Sequence, residues 1–81
     1  MTYGLVFEKC EEPNFEGYYY AHIPALDLTT HGLGIDGARA AAEDLVTGWL
    51  QVKREHGETV PPSREVFFST LEVADDALQA A

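Results

Sequence analysis

Between residues 35 and 56 the apolar side chains fall at Ile35, Ala38, Ala42, Leu45, Val46, Trp49 and Leu50. Recurrence at steps of three and four places them along one face of an α-helix. The ends are marked as well. Gly34 suits the N-cap, Asp36 sits near the positive end of the helix dipole, and Lys53, Arg54 and His56 sit near the negative end. Gly57 is placed for the left-handed residue that closes a helix, and Pro61 and Pro62 forbid continuation. A helix over residues 35–56 with a single apolar stripe needs a second layer to cover it. In a chain of 81 residues that layer must come from the neighbouring segments of one domain.

The segments before the helix have the two-residue alternation of strands. In residues 3–9, Tyr3, Leu5 and Phe7 alternate with Gly4, Val6 and Glu8. Pro13, Asn14 and Gly17 then supply turn chemistry. Residues 18–23 form an aromatic run closed by Pro24, and residues 26–31 add a shorter, Thr-containing third strand. Gly32 and Gly34 break the pattern before the helix, leaving His31 beside a glycine loop. After the helix, residues 64–73 again read as a strand, with Phe67, Ser69, Leu71 and Val73 on one side and Val66, Phe68 and Thr70 on the other. The predicted order is β-β-β-α-β. This is an α+β domain over residues 1–73, an antiparallel sheet with one long helix packed on one face, followed by a short tail over 74–81.

A sheet covered on one face usually turns polar side chains to water on the other. Here, if Leu5, Phe7, Tyr19, Ala21 and Ile23 meet the helix, the opposite face carries Val6, Tyr18, Tyr20, Val66 and Phe68. Such a patch marks an interface, with a second copy or with another protein. The expected contact residues are Tyr18, Tyr20, His22, Val66 and Phe68. A core of this size leaves a small stability margin, so a homo-oligomer, dimeric or larger, is expected.

Charge narrows the partners. Fourteen Asp and Glu against five Lys and Arg give a formal net charge of −9. Nucleic-acid binding draws on Lys and Arg neutralising phosphates, and the one basic pair, Lys53-Arg54, is followed by Glu55 and Glu58. Direct binding to an anionic membrane is disfavoured on the same ground. A small basic protein would be attracted from a distance, with Glu11, Glu12 and Glu16 steering it. The N-terminal residues have no basic region followed by an apolar run, and no stretch approaches the roughly 20 apolar residues of a membrane span. A cytoplasmic location is the expectation.

No set of side chains in the sequence has the spacing of a catalytic group. His22, His31 and His56 have no metal-ligand spacing. Glu43 and Asp44 are helix neighbours and do not converge, and the remaining acids are scattered as on a solvated surface. Gly32-Leu33-Gly34 is too short for a phosphate loop and lacks its lysine. Ser63 and Ser69 are in no nucleophile-elbow context. The single cysteine, Cys10, excludes an intrachain disulfide and reads as a small buried side chain at a strand end. No catalytic residue, metal or cofactor is expected.

Gly17-Tyr18-Tyr19-Tyr20-Ala21-His22-Ile23-Pro24-Ala25-Leu26 resembles the second strand of HicB-like proteins, which runs into Pro-x-Leu. The glycine loop Thr30-His31-Gly32, the Ala-rich helix with Ala38, Ala42, Leu45 and Trp49, and the closing stretch Gly57-Glu58-Thr59-Val60-Pro61-Pro62 extend the resemblance over residues 3–73. It implies a partial ribonuclease-H-like fold without that fold's catalytic acids. It also implies an antitoxin-like role, in which the domain binds and blocks a small basic HicA-like toxin that cleaves messenger RNA. Many such antitoxins carry a DNA-binding segment, and the 81 residues are expected to leave no room for one. Two stretches depart from the family pattern. Leu26-Asp27-Leu28-Thr29 stands where the family has Leu-Pro-Gly-Cys, and Gly37 lies within the first helical turn, where glycine costs up to about 1 kcal/mol relative to alanine. These departures favour the alternative of a stand-alone oligomeric domain that binds a small molecule or another protein.

Overall fold

The computed structural model describes residues 2–61 and 69–74. The chain forms β1 (Val6–Lys9), β2 (Tyr18–Ile23), a single 3-10 turn over Pro24–Leu26, β3 (Leu28–Leu33) and α1 (Gly34–Glu55). The sheet order is β1-β2-β3, with both pairings antiparallel. The α+β order β-β-β-α is the expected one. Of the expected fifth element, residues 64–68 lie outside the described residues, and 69–73 are exposed and in no strand. Most of the expected tail, residues 75–81, also lies outside them.

Each junction has a local cause. The β1–β2 loop turns through Asn14 (φ 74°) and Gly17 (φ 81°), positions that tolerate the left-handed region. Backbone bonds from Phe15 N–H to Glu12 O and from Tyr18 N–H to Phe15 O close two tight turns there. The β2–β3 connection begins with Pro24, whose fixed φ starts the 3-10 turn, and ends at Asp27 (φ 54°). Strand β3 therefore starts at Leu28 and not at residue 26. It also runs on through His31 and Gly32 to Leu33, where a glycine loop was expected. Gly34, expected as the cap, is the first helical residue, and Leu33 takes the N-cap position without a side-chain bond. At the other end, Gly57 N–H bonds to Arg54 O and Glu58 N–H to Lys53 O, with Gly57 at φ 67°. This is the double closure of a Schellman cap.

Helix α1 lies across one sheet face. Ala21, Ile23 and Leu26 meet Ala38 and Ala42 in the buried cluster, and Tyr3, Leu5, Phe7, Tyr19, Leu28, Val46 and Trp49 pack around it. Odd-numbered residues of β2 therefore face the helix and even-numbered ones face away, as the alternation predicts. Ile35 departs from the expected stripe: it is 40% exposed.

Candidate binding face

The sheet surface away from α1 carries a continuous set of rings. Tyr18, Tyr20 and His22 of β2 pair across to Leu33, His31 and Thr29 of β3, and Tyr20 and His22 pair to Glu8 and Val6 of β1. Paired residues in an antiparallel sheet share a face. Phe15 folds in from the β1–β2 loop. Its ring meets Tyr18 edge-on at 5.6 Å and His31 at 5.9 Å, while His31 lies 6.1 Å from Tyr18 and 6.4 Å from Tyr20. Tyr20 and His22 stack at 6.0 Å. Such offset and edge contacts hold rings in place and present a firm, part-apolar surface.

Polar groups fix two of these rings further. The Tyr20 hydroxyl donates to Glu12 Oε1 at 2.7 Å. That bond pushes the Tyr20 phenol up to about 12, with burial and the negative charge of Glu12 adding to the effect. The same bond holds the Glu12 carboxyl below its ordinary value. His22 lies between Glu8 Oε1 and Thr29 Oγ1, each 3.0 Å from a ring nitrogen, so β1, β2 and β3 are tied by one imidazole. Cys10 is buried beside this group. Burial, then the Glu12 charge, raise its thiol pKa against the opposing hydrogen bond from Tyr20, and Glu8 raises it slightly more.

Of the expected contact residues, Tyr18, Tyr20 and His22 stand together on this face; Val66 and Phe68 lie outside the described residues. Glu11, Glu12 and Glu16 are exposed in the β1–β2 loop, where Glu12 is anchored by Tyr20. Phe15, His31 and Leu33 join the face without having been expected there. Alternation would have found Leu33 had β3 been carried through Gly32, and His31 is set on this face by the β2–β3 register, whereas Phe15 lies in a turn and has no periodic signal.

A concavity of about 380 Å³ runs between the N-terminal segment and α1, lined by Tyr3, Leu5, Ile23, Ala42, Val46 and Leu50 among others. It is mainly apolar. Arg39 at its rim lies over the Phe7 ring at 5.4 Å, and Tyr3 donates to Pro61 O at 2.8 Å. Among the described residues, no group of three or more His, Cys, Asp or Glu side chains is placed to hold a metal ion. Among them, too, no helix is long and apolar enough to cross a membrane. Comparison of the chain with protein-family models, with curated proteins and with solved structures gives no match.

Proposed function

We propose that this chain is a non-catalytic protein-binding module of the HicB-like antitoxin kind, which binds and neutralises a small basic RNA-cleaving protein. The observation that carries the reading is the outer sheet face, where Phe15, Tyr18, Tyr20 and His31 form one ring cluster beside the acidic β1–β2 loop. Aromatic residues are enriched where proteins meet, because they bury much area at little entropic cost. The surrounding acids suit a cationic partner. Glu8, Glu11, Glu12 and Glu16 flank the rings within a chain of net charge −9, and complementary charge speeds encounter and excludes wrong partners. The β-β-β-α order and the closing glycine turn before Pro61 agree with the same family resemblance.

The test is inhibition. Any small basic protein encoded beside this chain's gene would be purified and its RNA cleavage measured with increasing amounts of the chain. Stoichiometric suppression, weakened by salt and lost in Tyr18→Ser/Tyr20→Ser, is the expected result. Undiminished cleavage at saturating chain would rule the reading out.

A further inference from the structure

Strand β3 is an edge, and its backbone polarity can be read directly. Gly34 N–H bonds to Gly17 O at 2.7 Å, which sets the phase of the β2–β3 ladder. Hydrogen-bonded pairs alternate along an antiparallel ladder, so Gly32, Thr30 and Leu28 direct their backbone groups at Tyr19, Ala21 and Ile23. The bond from Cys10 N–H to Tyr18 O at 3.0 Å gives the same phase from the other side, since it turns the even-numbered residues of β2 toward β1. Thr29, His31 and Leu33 therefore aim their N–H groups away from the sheet, along an edge that no strand covers among the described residues.

Natural edges are usually blunted by charge, proline or a bulge. Leu28–Leu33 has none of these: its sequence is Leu-Thr-Thr-His-Gly-Leu, without a charged residue or proline, and its pairing to β2 is unbroken over all six residues. The opposite edge strand, β1, carries Glu8 and Lys9, and the chain itself returns beside that side of the sheet, where Tyr3 bonds Pro61. Leu33 is 63% exposed and Ile35 40%, so apolar surface continues from the end of β3 into the first helical turn.

We propose that β3 is a self-association edge, pairing antiparallel with β3 of a second copy about a two-fold axis at His31. The occupant follows from charge. A basic strand would find no acid within Leu28–Leu33, whereas a second copy brings an uncharged strand with the same outward backbone groups. The register follows from the phase. Only an axis at His31 uses all three outward residues of both chains, setting His31 opposite the partner's His31 and Thr29 opposite the partner's Leu33. The pairing is isologous and closed, and it makes one six-stranded sheet from two three-stranded ones. It also joins the two ring-bearing faces into one surface. The inference does not depend on the antitoxin reading, since it concerns the chain alone.

The experiment uses the full chain in size-exclusion chromatography with light scattering, from micromolar to submillimolar concentration. The wild type is expected at twice 8.9 kDa. At the proposed axis two side chains stand on Cα atoms about 5.5 Å apart. His31→Lys and His31→Glu, each alone, should weaken self-association by on the order of tenfold or more, through like charges facing each other. Mixed in equal amounts, the two variants should recover the dimer as a heterodimer, with circular dichroism reporting a native helix signal in each. Added salt should leave the wild-type dimer intact or strengthen it, opposite to its effect on binding a basic protein. A wild type that stays monomeric throughout would overturn the proposal. So would variants that remain fully dimeric alone, or natively folded variants that fail to pair when mixed.

Discussion

Gly32 of β3 lies so close to Gly37 of α1 that a Cβ built on Gly32 would stand 2.4 Å from the Gly37 carbonyl carbon and oxygen and 2.6 Å from Ala38 N. The obstacle is backbone and cannot rotate aside. Gly32 is needed for space: its φ is not among the positive ones. Gly32→Ala must push the helix off the sheet and should destabilise the chain by on the order of 2–3 kcal/mol or more. Gly37 is not under the same constraint, since its own Cβ would meet only ordinary contacts at 3.5 Å and beyond. Gly48 sits in the exposed middle of α1 with nothing within 4 Å, so Gly48→Ala should stabilise by up to about 1 kcal/mol. Urea unfolding of the two variants beside the wild type would check both signs; an unaffected Gly32→Ala would mean the helix is free to stand off.

That contact also explains where the sequence was readable and where it was not. Period-two and period-3.6 patterns report burial, so β2 at Tyr18–Ile23 was read to the residue and α1 to within one residue at each end. The facing of β2 followed, because Ala21 and Ile23 are the small and branched residues that fit under the helix. What failed was the meaning of glycine. Gly32 reads locally as a strand breaker, yet here it keeps β3 going because only hydrogen fits beneath Gly37. Ending the strand before Gly32 removed Leu33 and left His31 as its last residue, beside a loop and without the register that sets it against the rings it touches. Phe15 was invisible for a different reason: its position comes from the turn bonds at Glu12 and Tyr18, which no side-chain periodicity records.

The Tyr20–Glu12 bond makes stability depend on pH at both ends of the scale. In the unfolded chain a tyrosine ionises near ~10, whereas Tyr20 in the fold is pushed up to about 12. Its contribution is complete below the unfolded value and disappears as pH rises through about 12. Glu12, held low by the same hydroxyl, contributes above the unfolded glutamate value and loses that contribution as pH falls through its lower folded one. Phenolate absorbance should show one of the four tyrosines ionising late, and Tyr20→Phe should remove that step. In the same variant the Glu12 carboxyl should titrate at higher pH by NMR. A late step that survives Tyr20→Phe would assign it to another tyrosine.

Cys10 should be a slow nucleophile in the folded chain. The thiolate is the reactive form, and burial with the Glu12 charge beside it disfavours that form. Alkylation by iodoacetamide near neutral pH should be far slower in native buffer than in denaturant. Glu12→Gln removes the larger of the two neighbouring charges while keeping an acceptor for Tyr20, so it should speed the native reaction. Equal rates for the folded wild type and Glu12→Gln would show that burial alone governs the thiol.

The buried cluster is assembled from small residues, and this predicts how it fails. Ala21 and Ala38 are fully buried, Ala42 nearly so, and among the described residues no large side chain is completely enclosed. Close approach of helix and sheet, not the bulk of any one side chain, therefore excludes water. Ala38→Leu would force the layers apart and should cost about 1–3 kcal/mol, whereas Ala40→Leu on the exposed side of the same helix should change little. Ile23, 2% exposed, is the more deeply buried of the two large aliphatics of the cluster, and Ile23→Ala should cost about 2–5 kcal/mol. For a chain of this length total stability is on the order of 4–12 kcal/mol, so Ile23→Ala removes a large share and should lower the urea midpoint sharply. A variant series in which Ala38→Leu is as stable as Ala40→Leu would mean that the two layers have room between them, and the tight contact at Gly32 would then be the exception along the helix and not its rule.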